Sequence, residues 1–186
     1  MNNISTAVIL TSALLSTGAY ANSDTLKEVK KYSISGAYAQ STLSMYGEDA
    51  DENPSGINIK FRARANETFG FIGSFTYTNL SESAYSGYES ANIELDYTSY
   101  LFGPTYRANK YFSAYALIGF ASGTANVRYS GYGYNLSGSE SDSNIAVGAG
   151  VQFDITDRFA LDASYEYTEF NDLEVATLSL GAAYRF

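Results

Sequence analysis

Large apolar residues alternate with small or polar residues through most of the chain. In residues 56–65 the odd positions are apolar, whereas the even positions include Lys60, Arg62 and Arg64. Because successive side chains of a β-strand point to opposite faces, this pattern predicts a strand with one apolar and one cationic face. The same period of two predicts strands at residues 32–41, 69–78, 144–153, 161–168 and 176–186.

Two further segments, residues 99–107 and 112–123, have the composition of strands but an ambiguous pattern of facing. We expect Tyr100, Phe102 and Tyr106 to point outward from the first of them. In the second, we expect Ile118 and Phe120 to point outward. These two segments bring the predicted number of strands to eight.

Short and long connections alternate between the predicted strands. Short ones lie at residues 66–68, 108–110 and 155–158, and long polar ones at about 45–55, 79–92 and 127–143. A fourth connection on the long side, at about 170–174, is much shorter. This alternation is typical of an up-and-down barrel that has turns at one rim and surface loops at the other.

The identity of the two faces indicates which solvent surrounds the barrel. The polar face consists mainly of Gly, Ser, Ala and Thr, which suits the narrow lumen of a barrel whose side chains fill it. The large apolar face, with Tyr and Phe near the strand ends, suits contact with lipid. We therefore predict an all-β, eight-stranded antiparallel up-and-down transmembrane β-barrel, with a soluble sandwich as the open alternative.

Charged residues on the polar face are predicted to pair across the lumen, because unpaired buried charges are costly. Glu94 or Asp96 could join them. A filled lumen argues against a channel. The predicted interior network consists of Lys60, Arg62, Arg64, Asp162, Glu166 and Arg185.

The N-terminus has the pattern of an export signal. Residues 1–21 contain no charged side chain, include an apolar run at 7–15 and end in Ala19-Tyr20-Ala21. We predict a signal peptide that is cleaved before Asn22 and a barrel spanning residues 22–186. Because the first residues lack Lys and Arg, a buried N-terminal helix stays open as an alternative. No later stretch approaches the roughly 20 apolar residues of a membrane helix.

Composition excludes several classes of function. The chain has no His and no Cys, which removes imidazole and thiolate catalysis and sulfur-bound metals. Its net charge of -9 argues against a nucleic-acid partner. We therefore predict no catalytic residues, no cofactor and no dedicated metal site. Weak Ca²⁺ binding by Glu48, Asp49, Asp51 and Glu52 stays open, although these residues lack an ordered ligand spacing.

The long connections are rich in Tyr, Ser and Gly, a composition that is also used by antibody binding loops. Binding through these loops is therefore the favoured class of function, and Tyr132 and Tyr134 are its best candidates. The alternative is that the tyrosines form the membrane-interface girdle. The candidate contact residues are Tyr85, Tyr88, Arg128, Tyr129, Tyr132 and Tyr134.

Motifs across nearly all of residues 22–186 resemble the Ail/Lom family of outer membrane proteins, which includes outer membrane protein X and the attachment-invasion and serum-resistance proteins. The motifs are GAYAQS at 36–41, GINIKFR at 56–62, IGSFTYT at 72–78, GPTYR at 103–107, GAGVQF at 148–153, ALDASYE at 160–166 and GAAYRF at 181–186.

The resemblance implies a monomeric Gram-negative outer-membrane barrel, exported through the periplasm and embedded in lipid and lipopolysaccharide. It implies adhesion, invasion and serum resistance, with host cell-surface, matrix or complement-regulatory proteins as partners. A structural barrel that maintains the envelope without a specific ligand is the alternative. Because the loops are acidic, heparin-like ligands of some family members are not expected here. The signal for the outer-membrane assembly machinery is expected at Leu178, Leu180, Tyr184 and Phe186.

Overall fold

A computed structural model describes residues 31–45, 48–50, 53–86, 89–131, 134–171 and 173–186. The predicted signal peptide lies outside these residues. Within them the chain forms β-strands joined by turns, and no helix is long and apolar enough to cross a membrane. The strands are β1 (Tyr32–Met45), β2 (Glu48–Asp49), β3 (Ser55–Arg64), β4 (Phe69–Ser86), β5 (Glu89–Arg107), β6 (Phe112–Gly131), β7 (Tyr134–Asp154), β8 (Phe159–Phe170) and β9 (Leu173–Arg185).

The sheet closes on itself into a barrel. Each long strand pairs antiparallel with its neighbours in sequence, and β1 also pairs with β9. Tyr38 of β1, for example, lies opposite Ile57 of β3 on one side and Leu180 of β9 on the other. The two-residue β2 pairs only with the end of β1 in the described part of the chain. The eight-stranded antiparallel barrel, formed by β1 and β3–β9, is thus confirmed.

Large apolar side chains cover the outside of the barrel. Tyr100 is 65% exposed, Ile118 62% and Phe120 69%, and Phe102 and Tyr106 also point outward. The predicted facing of both ambiguous segments is therefore confirmed. Neighbouring strands pack aromatic rings along this surface, as in the stacked pair Phe71–Phe102 with centroids 5.8 Å apart. An exposed apolar surface of this extent requires lipid as its solvent.

The lumen is filled by small, polar and charged side chains together with one apolar cluster. Ile72, which interrupts the polar face of β4 in the sequence, belongs to that cluster with Leu101 and Leu117. Tyr97 and Tyr115 complete the packing from neighbouring strands. The barrel interior is therefore a packed core, which follows from the small diameter of an eight-stranded barrel.

Strand length divides the barrel into two halves. β4, β5, β6 and β7 contain 18, 19, 20 and 21 residues, whereas β3 contains 10 and β8 contains 12. A membrane needs only about 9–11 residues per tilted strand, so β4–β7 extend well beyond it. Most of residues 79–92 and 127–143, which were predicted as loops, are paired β-strand. Polar residues occur at both odd and even positions of these segments, so the sequence shows no apolar stripe there.

The opposite rim consists of three tight turns. In each turn one side-chain oxygen accepts hydrogen bonds from two backbone N–H groups: Asn66 from Thr68 and Phe69, Asn109 from Tyr111 and Phe112, and Thr156 from Arg158 and Phe159. Asn and Thr stabilise turns in this way. Since short turns mark the periplasmic side of such barrels, the long strands extend outward from the cell.

Candidate functional site

The centre of the lumen holds a buried ion pair between Lys60 and Asp162. The Lys60 ammonium lies 2.8 Å from the Asp162 carboxylate, and both side chains are almost fully buried. The Tyr115 hydroxyl donates to the same carboxylate at 3.0 and 3.1 Å, and Lys60 also donates to Asn58. Strands β3, β6 and β8 are thereby linked across the lumen.

Glu166 lies nearby but has a different set of partners. Its carboxylate accepts hydrogen bonds from Thr76 at 2.9 Å and from Ser99 at 2.8 Å, with a longer contact from Ser74 at 3.3 Å. No cation pairs with it among the described residues. The prediction that Glu166 pairs with a Lys or Arg is wrong, because hydroxyl groups of β4 and β5 surround it instead. Its exposed fraction is 0%, so it lies beyond the reach of a solute.

Two of the arginines near the periplasmic rim share one carboxylate that sequence reasoning missed. Asp154, the last residue of β7, accepts a bidentate pair from Arg185 and a further bond from Arg107 at 2.7 Å. Arg62 donates to the neutral amide oxygen of Gln152 at 2.9 Å. Asp154 escaped notice because it ends a strand beside a polar turn, where carboxylates are usually solvated. The Arg64 side chain has no hydrogen bond or ion pair within the described chain.

Glu94 and Asp96 lie away from this network. Both point outward near the extracellular end of β5, and Asp96 accepts hydrogen bonds from Tyr77 at 2.7 Å and from Asn79 at 3.0 Å. They therefore stabilise the outer surface of the β4–β5 pair rather than the lumen.

A cavity of about 350 Å³ opens at the extracellular mouth of the barrel. Its buried lining residues include Tyr97, Phe170 and Val175, which extend the apolar cluster of the lumen to the surface. Partly buried Leu43 and Leu173 pack against that cluster at the same place. The volume lies within the usual range for sites that bind small molecules or single side chains. We call it the mouth cavity.

Polar residues border the mouth cavity on the β7 side. Glu140 and Asp142 line it and are exposed to solvent. Asp142 accepts a hydrogen bond from Asn171 at 3.1 Å, which connects β7 to the β8–β9 turn. Asn171 has a φ of 53°, a left-handed conformation that Asn tolerates better than most residues. An apolar interior beside two exposed carboxylates that form no ion pair within the described residues favours a ligand that is both apolar and cationic.

Four of the six sequence-predicted contact residues belong to the described part of the chain, and all four lie in its extracellular part. Arg128 of β6 is exposed. Tyr85, Tyr129 and Tyr134 lie in the outer parts of β4, β6 and β7. Tyr88 and Tyr132 fall outside the described residues, as do Asp51 and Glu52 of the acidic first loop. No group of three or more potential metal ligands occurs in the part of the chain that the structure describes.

The residues of the predicted assembly signal lie on the lipid-facing side of β9 and just after it. Leu178, Leu180, Tyr184 and Phe186 are each at least 40% exposed and occur at even positions. Tyr184 packs against Phe159 of β8, with ring centroids 5.4 Å apart. This packing accounts for the residues as part of the lipid-facing belt, and recognition by the assembly machinery stays a prediction.

Comparisons with known proteins agree with this architecture. The family model for the outer membrane protein beta-barrel domain matches residues 7–186. The attachment invasion locus protein of Yersinia pseudotuberculosis is 41% identical over 155 residues, covering 83% of this chain and 84% of the relative. Outer membrane protein X of Escherichia coli strain K12 is 35% identical over 155 residues, covering 82% and 84%.

A solved structure shows the same fold. It is that of Ail, the attachment invasion locus protein of Yersinia pestis, in complex with the heparin analogue sucrose octasulfate. Its TM-score is 0.77 at 39% identity, and the match covers 84% of this chain and 98% of that one.

The class of protein is therefore an outer-membrane β-barrel, a non-enzymatic protein that resides in the bacterial outer membrane. Within that class, the chain belongs to the family that contains the attachment invasion locus proteins and outer membrane protein X.

Proposed function

We propose that the extracellular end of this barrel binds host cell-surface, matrix or complement-regulatory proteins, and thereby promotes adhesion, invasion and serum resistance. The observation that supports this most directly is the mouth cavity, an apolar site of about 350 Å³ beside exposed Glu140 and Asp142. The naming of relatives as attachment invasion locus proteins supports the same function.

The charge of the outer end defines the kind of partner. Residues 45–55, 79–96, 124–142 and 169–174 contain four, four, two and three acidic residues, thirteen in all, against the single base Arg128. Such a surface attracts a cationic face and repels a polyanion, with a range of about 8 Å at physiological salt. We therefore propose a partner that presents an apolar side chain next to Lys or Arg. Binding of heparin-like polyanions, seen for the Yersinia pestis relative, is not part of this proposal.

The test expresses the protein in a non-adherent bacterium that lacks related barrels. A heat-modifiable band in purified outer membranes first confirms a folded barrel. Adhesion to cultured host cells and survival in fresh serum are then compared with an empty-vector strain. We expect a gain in at least one assay, and we expect it to weaken as NaCl is raised because screening reduces charge attraction.

Two sets of variants locate the contact surface. Glu140→Gln/Asp142→Asn removes two negative charges beside the mouth cavity. Glu67→Gln/Asp157→Asn removes the same charge from the periplasmic turns and serves as the matched control. We expect Glu140→Gln/Asp142→Asn, but not the periplasmic control, to lose the gain in adhesion or serum survival. In a separate comparison, replacing Tyr132 and Tyr134 by Ser tests the tyrosine-rich hairpin.

A folded, surface-exposed barrel that gives no gain in either assay would overturn the proposal. It would favour the alternative, a barrel that maintains the envelope without a specific ligand. Equal losses in the mouth variant and its periplasmic control would show that net charge, rather than the mouth, controls the phenotype.

A further inference from the structure

The periplasmic mouth of the lumen contains more positive charge than its carboxylates can neutralise. Arg62 and Arg185 lie in adjacent registers on either side of Ser33: Ser33 of β1 is opposite Arg62 of β3 and also opposite Arg185 of β9. Because paired strands lie about 4.8 Å apart, the two arginine backbones are separated by roughly 10 Å, with a hydroxyl between them. Arg64 is the next residue of β3 on the lumen face, and it lies closer to the periplasmic rim.

The hydrogen bonds at this end leave donors without acceptors. Asp154 is shared by Arg185 and Arg107, so its two oxygens are already engaged. Arg62 is only 5% exposed, yet within the described residues its side chain donates only to the uncharged amide oxygen of Gln152, and its Nε is buried without a partner there. The Nη1 of Arg107 is also buried without a partner. Buried polar groups in native proteins are nearly always paired, and an unpaired buried charge is costly.

Nearby acidic groups do not resolve this imbalance. Asp162 is engaged by Lys60 deeper in the lumen. Glu67 lies exposed on the turn after Arg64 and forms no ion pair with it in the described chain. Arg62 and Arg64 therefore have no carboxylate partner among the residues that the structure describes.

A small cavity lies beside the Arg62 side chain. It has a volume of about 10 Å³ and is lined by Lys31, Tyr32, Ser33, Arg62, Arg64 and Arg185. A cavity of this size holds about one water-sized atom. Four of the six lining residues are cationic, so a single anionic atom would neutralise the site better than water.

We propose that the periplasmic mouth of the lumen is a binding site for a small anion, which Arg62, Arg64 and Ser33 coordinate. The ligand chemistry is one anionic atom, supplied either by a halide of chloride size or by one oxygen of a phosphate group. The bound anion acts as the missing counterion of the arginine cluster and stabilises the closure between β9, β1 and β3. This inference is independent of any activity at the extracellular end.

The test measures the thermal midpoint of the folded barrel in non-ionic detergent by far-UV circular dichroism. Chloride and phosphate are titrated separately from a buffer of very low ionic strength. Arg64→Gln removes a coordinating cation whose side chain has no other partner among the described residues. Arg158→Gln removes an exposed arginine from the neighbouring turn and is the control for loss of one positive charge at the same rim.

For the wild-type barrel and Arg158→Gln we expect the thermal midpoint to rise saturably with anion concentration, by about 3–6 °C when the anion reaches ten times its Kd. Arg64→Gln should be as stable as wild type or more stable without added anion, because it removes repulsion between arginines, and it should lose the saturable rise. In crystals soaked with bromide, an anomalous peak beside Arg62 would locate the site directly, and the peak should be absent in Arg64→Gln.

An identical rise in all three proteins with both anions would overturn the proposal, since it would reflect a general salt effect. A saturable rise with only one of the two anions identifies the source of the ligand. If Arg64→Gln fails to fold, Arg64→Lys retains the charge without the planar donor fork, and it should bind the anion more weakly. Unchanged affinity in that variant, with no bromide peak, would equally contradict the site.

Discussion

Replacing Lys60 by Met tests whether the lumen is a dry core held by its ion pair. The Lys60 ammonium lies 2.8 Å from Asp162, with side-chain exposures of 1% and 0%. Methionine has a similar volume and an apolar end, so the substitution removes the charge with little change in packing. It leaves the Asp162 carboxylate buried, with the Tyr115 hydroxyl as a remaining donor.

Removing one partner of a buried pair costs about 3–5 kcal/mol. Because the Tyr115 hydroxyl stays within 3.1 Å of the carboxylate and a hydrogen bond to a charged group contributes about 1.5–3 kcal/mol, we expect the lower end of that range. The double variant Lys60→Met/Asp162→Asn removes both charges, and we expect it to lie within about 1 kcal/mol of wild type. Asp162→Asn alone leaves the buried Lys60 ammonium without its carboxylate, and it should also cost about 3 kcal/mol. The coupling energy, which is the sum of the two single losses minus the loss in the double variant, is then about 5 kcal/mol.

The free energy of unfolding is measured by urea titration of the barrel folded into lipid vesicles. Since the chain contains no Trp, circular dichroism is the appropriate signal. Lys110→Met is the control: Lys110 is exposed on a periplasmic turn, 4.7 Å from the centre of the Tyr111 ring, and its loss should cost no more than about 1 kcal/mol.

Two results would refute the reasoning. If Lys60→Met costs no more than the Lys110 control, the ion pair is solvated and the lumen is not a dry core. If the losses of Lys60→Met and Asp162→Asn simply add in the double variant, the two groups do not interact, despite their separation of 2.8 Å.

Three further substitutions test the packing of the barrel, each by the same urea titration. A Cβ on Gly103 would lie 1.8 Å from the Ala116 carbonyl oxygen, so Gly103→Ala should lower the free energy of unfolding by at least about 2 kcal/mol. A Cβ on Gly36 meets nothing within 4 Å, so Gly36→Ala should be tolerated. Equal effects of the two substitutions would contradict this reasoning. Ile118 and Ile155 both face outward, the first near the middle of the membrane and the second at the rim. Ile118→Arg should lower the free energy of unfolding by about 2–4 kcal/mol, and Ile155→Arg by about 0–1 kcal/mol. The reverse order would place the membrane elsewhere on the barrel. The free energy of unfolding of Glu166→Gln should lie within about 1 kcal/mol of wild type, because the amide can still hydrogen-bond to the surrounding hydroxyls. Glu166→Ala should lower it by about 2–4 kcal/mol because it leaves a cavity. A larger loss in the Gln variant would show that the charge is essential.

Much of the barrel was predictable because lipid imposes a simple rule on its outer face. Residues such as Phe61, Phe71 and Leu161 must face lipid, which produces a period of two that can be read without a structure. The same rule explains why the facing of Tyr100 and Phe120 could be predicted from composition alone. The connection at residues 155–158 could be located because it interrupts that period.

Other features were not predictable, because no such rule applies to them. Residues 79–86 and 89–92 pair as strands above the membrane, where water contacts both faces and no apolar stripe is required. The partners of Arg185 and Glu166 depend on the stagger between strands that are distant in sequence. Period-two reasoning assigns a residue to the lumen, but it does not give its depth, so Asp154 and the serine and threonine hydroxyls around Glu166 were missed.

The unequal strand lengths have a consequence for how two copies of this protein meet. A closed barrel has no unpaired strand edge, but closure ends where the shorter strands end. In the described residues, β4 beyond Asn79 pairs only with β5, and β7 before Ala146 pairs only with β6. The sheet above the membrane therefore has two edges without a neighbouring strand, and such edges are a template for pairing with another chain.

These open edges carry negative charge. Glu82 lies on the β4 edge, and Glu140 and Asp142 lie on the β7 edge. Two barrels that approach each other edge to edge bring like charges together, and charged residues on edges are a common protection against such pairing. The acidic outer surface thus disfavours self-association in a crowded membrane, while the same edges remain accessible to a chain of opposite charge.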